Sequence, residues 1–354
     1  MLIYCISFSL YKKETLCQTI FGQKMLNFFN WISPNYQYNN YRKFISFVSL
    51  RMTEKEHGMI NEEIHHTPVM LQEVLNSLPA NPKIIVDWTL WHGWHTSNML
   101  RLFSTIQKLY WFDLDPNIFR ETKEKLEPEF GDKISFQNRS YTEIQSFLWD
   151  EKADFVLVDL WVNLEHFKDW NRGFSTNIDG KLDMRFDNTN GKSAYDIINH
   201  YSASELANIF EDYAEFTPKK SEEIAKKIVE TRKNKPIETT FELKFLLNEL
   251  GLGQKACAVI FQAFRIETNK EIDNVKILLG EIPNILSKWW RCGIITFHSL
   301  EDRVVKQWFK ALVETWNFSL VYKKAVQPTY QEIQKNRPSR SAKYRVIEKN
   351  WRSI

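Results

Sequence analysis

Between residues 83 and 160 short apolar runs alternate with amphipathic ones: KIIVD (83–87), SNMLRLF (97–103), KLYWFDLD (108–115), NIFRETKEKLE (117–127), KISFQN (133–138) and ADFVLVDL (153–160). Apolar strands this short are buried on both faces and need helices to cover them, so the alternation predicts a parallel, doubly wound α/β sheet. HTPVMLQEVLNSL, from His65, reads as a leading helix with Pro68 in its first turn, where a missing N–H costs nothing. After Asp159 the pattern changes to charged helical stretches such as SASELANIFEDYAEF and SEEIAKKIVETRKNK, and a strand returns only at RCGIITF (291–297). A helical subdomain over 168–258 is therefore expected as an insertion after the fourth strand, splitting the sheet domain into 59–167 and 259–354.

Residues 1–58 differ from the rest. They are rich in Phe, Tyr, Ile and Asn, lack a period of 2 or 3.6, and contain no apolar run near the ~20 residues of a membrane span. We read them as an extension outside the fold: either an organelle transit peptide, or upstream sequence preceding a true start at Met52 or Met59. The 47 Lys and Arg barely exceed the 44 Asp and Glu, so a polyanion would be met by local basic patches and not by a global field. The four cysteines form no CxxC pair, which argues against a zinc site or disulfide framework and fits a reducing compartment.

Chemistry-bearing residues gather at strand ends. Asp87 closes the first strand, Asp113 and Asp115 the second, and Asp159 the fourth. A carboxylate closing the second strand of such a sheet can accept hydrogen bonds from both ribose hydroxyls of an adenosine, a spacing that suits NAD enzymes and adenosylmethionine enzymes equally. Three further stretches are too polar and turn-rich for core: NRGFSTNIDGKLDMRFD (171–187), RKNKPIETTFEL (232–243) and ITFHSLEDRVVK (295–306). The last sets His298, Ser299, Glu301, Asp302 and Arg303 directly after a buried strand, which suggests a pocket rim. No GxSxG elbow supports a serine hydrolase, and no G-x-G-x-x-G loop supports an NAD oxidoreductase.

Taken in order, HTPVMLQEVL, DWTLWHGWH, FDLDP, LVDLWV, RGFSTNIDGKLDMRFD, KPIETTFEL, FQAFRIETN, ITFHSLEDRVVK and RSAKYRVIEK resemble the RsmH/MraW family of ribosomal RNA small subunit methyltransferases, from about His65 to Lys349. The resemblance implies a class I, Rossmann-like methyltransferase sheet with an inserted all-helical subdomain. It implies S-adenosyl-L-methionine as cofactor, no metal, and methylation of the exocyclic N4 of a cytidine in small-subunit ribosomal RNA. Carried over by motif, the cofactor contacts fall on Gly93, Trp94, His95, Asp113, Tyr141, Asp159 and His166, the last standing where the family has Gln. Because the N4 lone pair is delocalised into the ring, the amine must be held in line with the methyl group and must lose a proton. Asp159 is the first candidate for that role and His298 the second. Lys219, Lys220, Lys226, Lys227, Arg232, Lys233, Lys235, Arg337, Arg340, Lys343 and Arg345 would hold phosphates, with small-subunit rRNA or the assembled subunit as partner. A cytoplasmic location, no membrane association and a possible homodimer complete these expectations. The alternative is a catalytically inactive RNA-binding homologue.

One anomaly cuts across the resemblance. The chain has 11 Gly, about half the usual ~7%, yet 13 Trp. Of Trp88, Trp91, Trp94, Trp111, Trp161, Trp289 and Trp290, nearly all stand where the family carries or tolerates Gly, whereas Trp308 stands where an aromatic is ordinary. Drift would scatter Gly to many residues. Repeated exchange for Trp alone points to one codon, UGA, which some genetic codes read as glycine and others as tryptophan.

Overall fold

The computed structural model describes residues 68–350 apart from 90–92, 144–147, 149, 150 and 163; the extension assigned to 1–58 and Trp91 lie outside the described residues. Seven strands form one sheet in the order β3-β2-β1-β4-β5-β7-β6. They are β1 (Ile84–Thr89), β2 (Lys108–Phe112), β3 (Ile134–Gln137), β4 (Ala153–Asp159), β5 (Leu286–Thr296), β6 (Phe318–Leu320) and β7 (Lys343–Lys349). The first five run parallel, and β7 lies antiparallel between β5 and β6. This is the Rossmann-like α/β sheet that the alternation predicts.

Helices α1 (Leu71–Ser77), α2 (Trp94–Leu102) and α3 (Pro116–Phe130) accompany the first strands. Between β4 and β5 come α4 (Leu164–Lys168), α5 (Ala194–His200), α6 (Ala203–Ala214), α7 (Pro218–Arg232), α8 (Thr240–Glu249), α9 (Gln254–Asn269) and α10 (Glu271–Ile285). The C-terminal region adds α11 (Ser299–Glu314) and α12 (Tyr330–Lys335). The charged stretch breaks into separate helices because it carries its own start signals. Ser193 with Asp196, Ser202 with Glu205, and Thr239 with Glu242 form reciprocal capping boxes at α5, α6 and α8.

Alternate strand residues feed two cores. Val86, Phe112, Val156, Val158 and Ile294 pack with Leu278 and Ile282 of α10 and Phe309 of α11. Ile85, Leu109, Trp111, Phe155, Leu157 and Ile295 face the other way, with Val74, Met99 and Leu126. A third core is built mostly of helix residues, among them Phe210, Ile224, Leu243, Leu247, Ile260 and Phe264. Helix α9 spans the 258/259 boundary expected from the sequence: Cys257 and Phe264 are both in the helical core.

Several element ends differ from the sequence reading, and β1 runs on past Asp87 to Thr89. Strand β2 stops at Phe112, because Asp115 turns the chain by capping α3, accepting from the Asn117 N–H at 2.8 Å. Strand β5 starts at Leu286, so Trp289 and Trp290 lie inside it and not in a preceding turn. There the pairing is irregular: from Ala153 to Phe155 of β4, the partner positions run from Leu286 to Arg291. The extra residues bulge.

Asp302, read above as part of a pocket rim, is a tie between elements. From α11 it accepts from Lys343 Nζ at 2.9 Å and Arg345 Nε at 2.8 Å, both on β7. Burial opposes its charge, but these two cations hold its carboxyl below the usual range. Asp302→Ala is expected to lower stability by roughly 1.5–3 kcal/mol, the range for hydrogen bonds to charged groups, read as a lower midpoint in urea unfolding.

Candidate active site

The chain runs from β1 outward to β2 and β3, then returns to place β4 on the other side of β1 and continues to β5. Such a reversal leaves a crevice beyond the carboxyl ends of the central strands, where ligands bind in open α/β sheets. Residues at the ends of β1, β2 and β4 surround it here. Thr89 and Asp159 are register partners, two residues beyond Asp87 on β1. Asp87 is buried and accepts from Thr96 Oγ1 of α2 at 2.5 Å. Gly93, at φ +66°, lets the chain turn into α2; a side chain there would strike Leu126 of α3.

Asp159 is buried, and one of its oxygens accepts from the Trp161 N–H at 3.1 Å. Burial, reinforced by the charges of Asp87 and Glu301 and opposed by that N–H, pushes its carboxyl up to about 8. His95 lies beside it. Its Nε2 is 3.1 Å from the Val69 carbonyl and must donate to it, so Nδ1 presents a lone pair 3.9 Å from Asp159 Oδ2. Burial draws His95 down to about 4, which leaves the ring neutral near pH 7. At 3.9 Å the two groups are not hydrogen-bonded, and Nδ1 has no partner.

Asp113 follows β2. One oxygen accepts from the Asp115 N–H at 2.8 Å; the other is buried without a partner, and burial raises the carboxyl well above the ordinary range. Asp113, Asp159, Ser140, Trp88, Phe186 and Glu301 are among the residues lining a cavity of about 60 Å³. An unpartnered buried acceptor on that wall suits a ribose hydroxyl. The space does not suit the whole donor: pockets for ligands of that size enclose roughly 300–1,000 Å³. Among the described residues the site offers S-adenosylmethionine suitable acceptors, while residues 90–92 of the adjoining turn lie outside them.

The structure thus brings Asp113 and Asp159 to one cavity, with Gly93 and His95 on the adjoining turn and helix. Trp94 opens α2, its ring 3.8 Å from Lys125 Nζ. Tyr141 begins a short turn after β3, its side chain outside the described residues. His166 is placed elsewhere: Nε2 is 2.8 Å from Asp115 Oδ2, and the ring stacks on Phe174 and Phe186. His298 caps α11. Its Nδ1 accepts from the Glu301 N–H at 3.4 Å, its Nε2 lies 2.9 Å from Glu301 Oε1, and Glu301, not His298, is on the cavity wall.

A second set of residues escaped the sequence reading of roles, although RGFS and LDMRFD were marked as too polar for core. Arg172 is buried and donates to Asp115 Oδ2 at 3.2 Å and to the carbonyls of Arg185 and Phe186 at 2.9 and 3.0 Å. Asn269 of α9 accepts from the Phe186 N–H at 2.7 Å. Burial would raise the Asp115 carboxyl, but His166, the Asn117 N–H and Arg172 together bring it down to about 2. These contacts fix Phe186 against the cavity.

Glu271, His298 and Glu301 place ligand-type atoms within 4.8 Å of one another. Each is already engaged: Glu271 is paired with Arg265 at 2.8 Å, and Glu301 accepts from the Phe297 N–H at 2.8 Å. The expected phosphate contacts are also reduced. Lys220, Lys226, Lys227 and Lys235 pair with Glu223, Glu222, Glu249 and Glu242. Arg232 donates to the Ile198 and Tyr201 carbonyls, and Lys343 and Arg345 are held by Asp302. Lys219, Lys233, Arg337 and Arg340 are exposed.

Because Asp159 is more basic in the folded protein than the ordinary carboxyl value of 3.8, folding takes up a proton. Its contribution is then greatest below about pH 4 and is lost as pH rises toward about 8. Asp159→Asn should flatten that stretch of the stability-versus-pH curve, measured by urea unfolding at fixed pH values; an unchanged slope would contradict the burial of this group. Arg172→Lys should lower the thermal midpoint, since one ammonium cannot reach Asp115 and two carbonyls together.

The MraW methylase family model matches residues 63–350. Ribosomal RNA small subunit methyltransferase H of Brachyspira hyodysenteriae is 39% identical over 300 residues, covering 81% of this chain and 97% of that protein. The proteins of the same name from Christiangramia forsetii and Dictyoglomus thermophilum are 38% and 37% identical, each covering 98% of its own length and 80% and 81% of this chain. With a family match across the whole sheet and insertion, and relatives aligned over nearly their full length, this chain belongs to the MraW methylase family.

Proposed function

We propose that the protein transfers a methyl group from S-adenosyl-L-methionine to the exocyclic N4 of a cytidine in small-subunit ribosomal RNA. The observation that carries this reading furthest is Asp159, a buried carboxyl at the sheet's reversal point with its affinity for a proton raised to about 8. N4 is a weak nucleophile. A group that hydrogen-bonds the amine and takes its proton during attack must be basic enough to hold that proton afterwards, and Asp159 is. His298 is the second candidate, acting through Glu301, which it contacts and which reaches the cavity. Pairing hides N4, so the cytidine must be unpaired or flipped out, and Phe186 offers an aromatic wall for it.

The exposed cations Lys219, Lys233, Arg337 and Arg340 are the groups proposed to hold phosphates, and the helical segment between β4 and β5 is proposed as the part that recognises RNA. No helix among the described residues is long and apolar enough to cross a membrane. We place the protein in the cytoplasm and allow a homodimer, with rRNA or the assembled small subunit as substrate. The family match speaks for a working methylase over an inactive homologue.

The test is methyl transfer from labelled S-adenosylmethionine to purified small-subunit rRNA and, in a second arm, to small subunits lacking the modification, followed by nucleoside analysis. N4-methylcytidine is expected; label on another atom or base would refute the assignment. The rate should rise with pH through about 8 as Asp159 ionises. Asp159→Asn should lose at least roughly 100-fold in rate, the lower end for a general base, together with that pH limb, while RNA retention on a filter is unchanged.

A further inference from the structure

We infer that the working protein carries glycine, not tryptophan, at positions 88, 111, 161, 289 and 316. The inference joins separate signs, and only the one concerning cavity space rests on the proposed donor.

The first sign is backbone conformation. Six non-glycine residues among those described have positive φ, and two are tryptophans: Trp289 at +69° and Trp316 at +63°. A bulky L-residue rarely adopts this region. Trp316 stands just past the end of α11, its N–H donating to the Val313 carbonyl at 3.0 Å, which is where helices most often place a left-handed glycine. Trp289 lies in the irregular stretch of β5. Burial offers no compensation, since the two side chains are 83% and 57% exposed. Position 316 lies outside every motif of the family resemblance, so its backbone alone marks it.

The second sign is an orphaned polar atom. Trp111 is fully buried, and its indole Nε1 finds no acceptor, although a buried tryptophan ordinarily satisfies that group. The third is space. Trp88 walls the cavity beside Asp113 and Asp159. Trp161, just beyond β4, lays its ring against Phe297, just beyond β5, with centroids 4.3 Å apart. Trp161 thus occupies ground beyond the carboxyl ends of the strands, where a methyl donor and its target must meet, and Trp88, inside β1 and buried in the sheet's core, fills the cavity's wall from below. Trp308, by contrast, lies on regular helical backbone in α11, packs partly buried against the sheet's core and is not among the residues lining the cavity. Trp94 and Trp290 show none of these signs. A single UGA codon read in two ways accounts for all five sites at once.

Peptide mass spectrometry of the protein purified from its own cells decides the residues. Glycine masses at these five positions are expected, and indole masses overturn the inference. Function is tested by titrating S-adenosylmethionine into the chain as written and into a chain with all five sites changed to glycine. Binding at least roughly 100-fold tighter by the glycine chain is expected, and equal affinity refutes the steric argument. Because no RNA enters that titration, its failure is distinct from failure of the N4 assignment. Should the five-site chain not fold, Trp289→Gly and Trp316→Gly singly should each raise Tm by about 2–4 °C; a drop in both would show that the left-handed turns do not call for glycine.

Discussion

Burying ionisable groups where the sheet reverses is the constraint on which the rest of this molecule depends. Asp87 near the end of β1, Asp113 just after β2 and Asp159 at the end of β4 stand on three neighbouring strands, all buried. An isolated buried carboxylate is expensive, and each of these has a different remedy. Asp87 accepts a hydrogen bond from the Thr96 hydroxyl, Asp113 accepts one from a backbone N–H and leaves its other oxygen open, and Asp159 becomes a weak acid. That open oxygen and that weak acid are the groups proposed to hold a ribose and to accept a proton. In an alternative chain with apolar residues at these places the sheet would be more stable but would have nothing with which to hold a ribose or accept a proton.

The helical segment between β4 and β5 is tied to this site by fixed contacts. Arg172 spans Asp115 and two carbonyls of the loop ending at Phe186, and Asn269 of α9 anchors the same loop. Because Arg172 is buried and spends its guanidinium on three acceptors, the loop has one arrangement, and Phe186 is held at the cavity wall. The charge runs on α7 serve the fold more than a ligand, being paired with acids along their own helix or on α8. Such exposed pairs are individually weak, and a polyanion could still compete for their lysines.

Much of this was legible without coordinates because it is written in local patterns. Short apolar runs alternating with amphipathic ones fix an α/β sheet, and acids near the strand ends mark the crevice. What failed to read locally depended on partners distant in sequence. Asp302 resembled a pocket group until Lys343 and Arg345 met it across the sheet. The motif marks His166 as a proposed cofactor contact; that its ring also meets Asp115, a helix cap 51 residues earlier, no local pattern shows.

The sequence by itself determined the class of sheet, the acids near its strand ends and the family, because periodicity and motif spacing are properties of neighbouring residues. Only the tertiary structure decided which of those acids share a cavity and which oxygen stays unpartnered. It alone showed how far burial lifts Asp159, and where tryptophan has been set on backbone turned the wrong way for it. Those quantities are fixed by desolvation and by contacts between strands far apart in the chain, which no local pattern records.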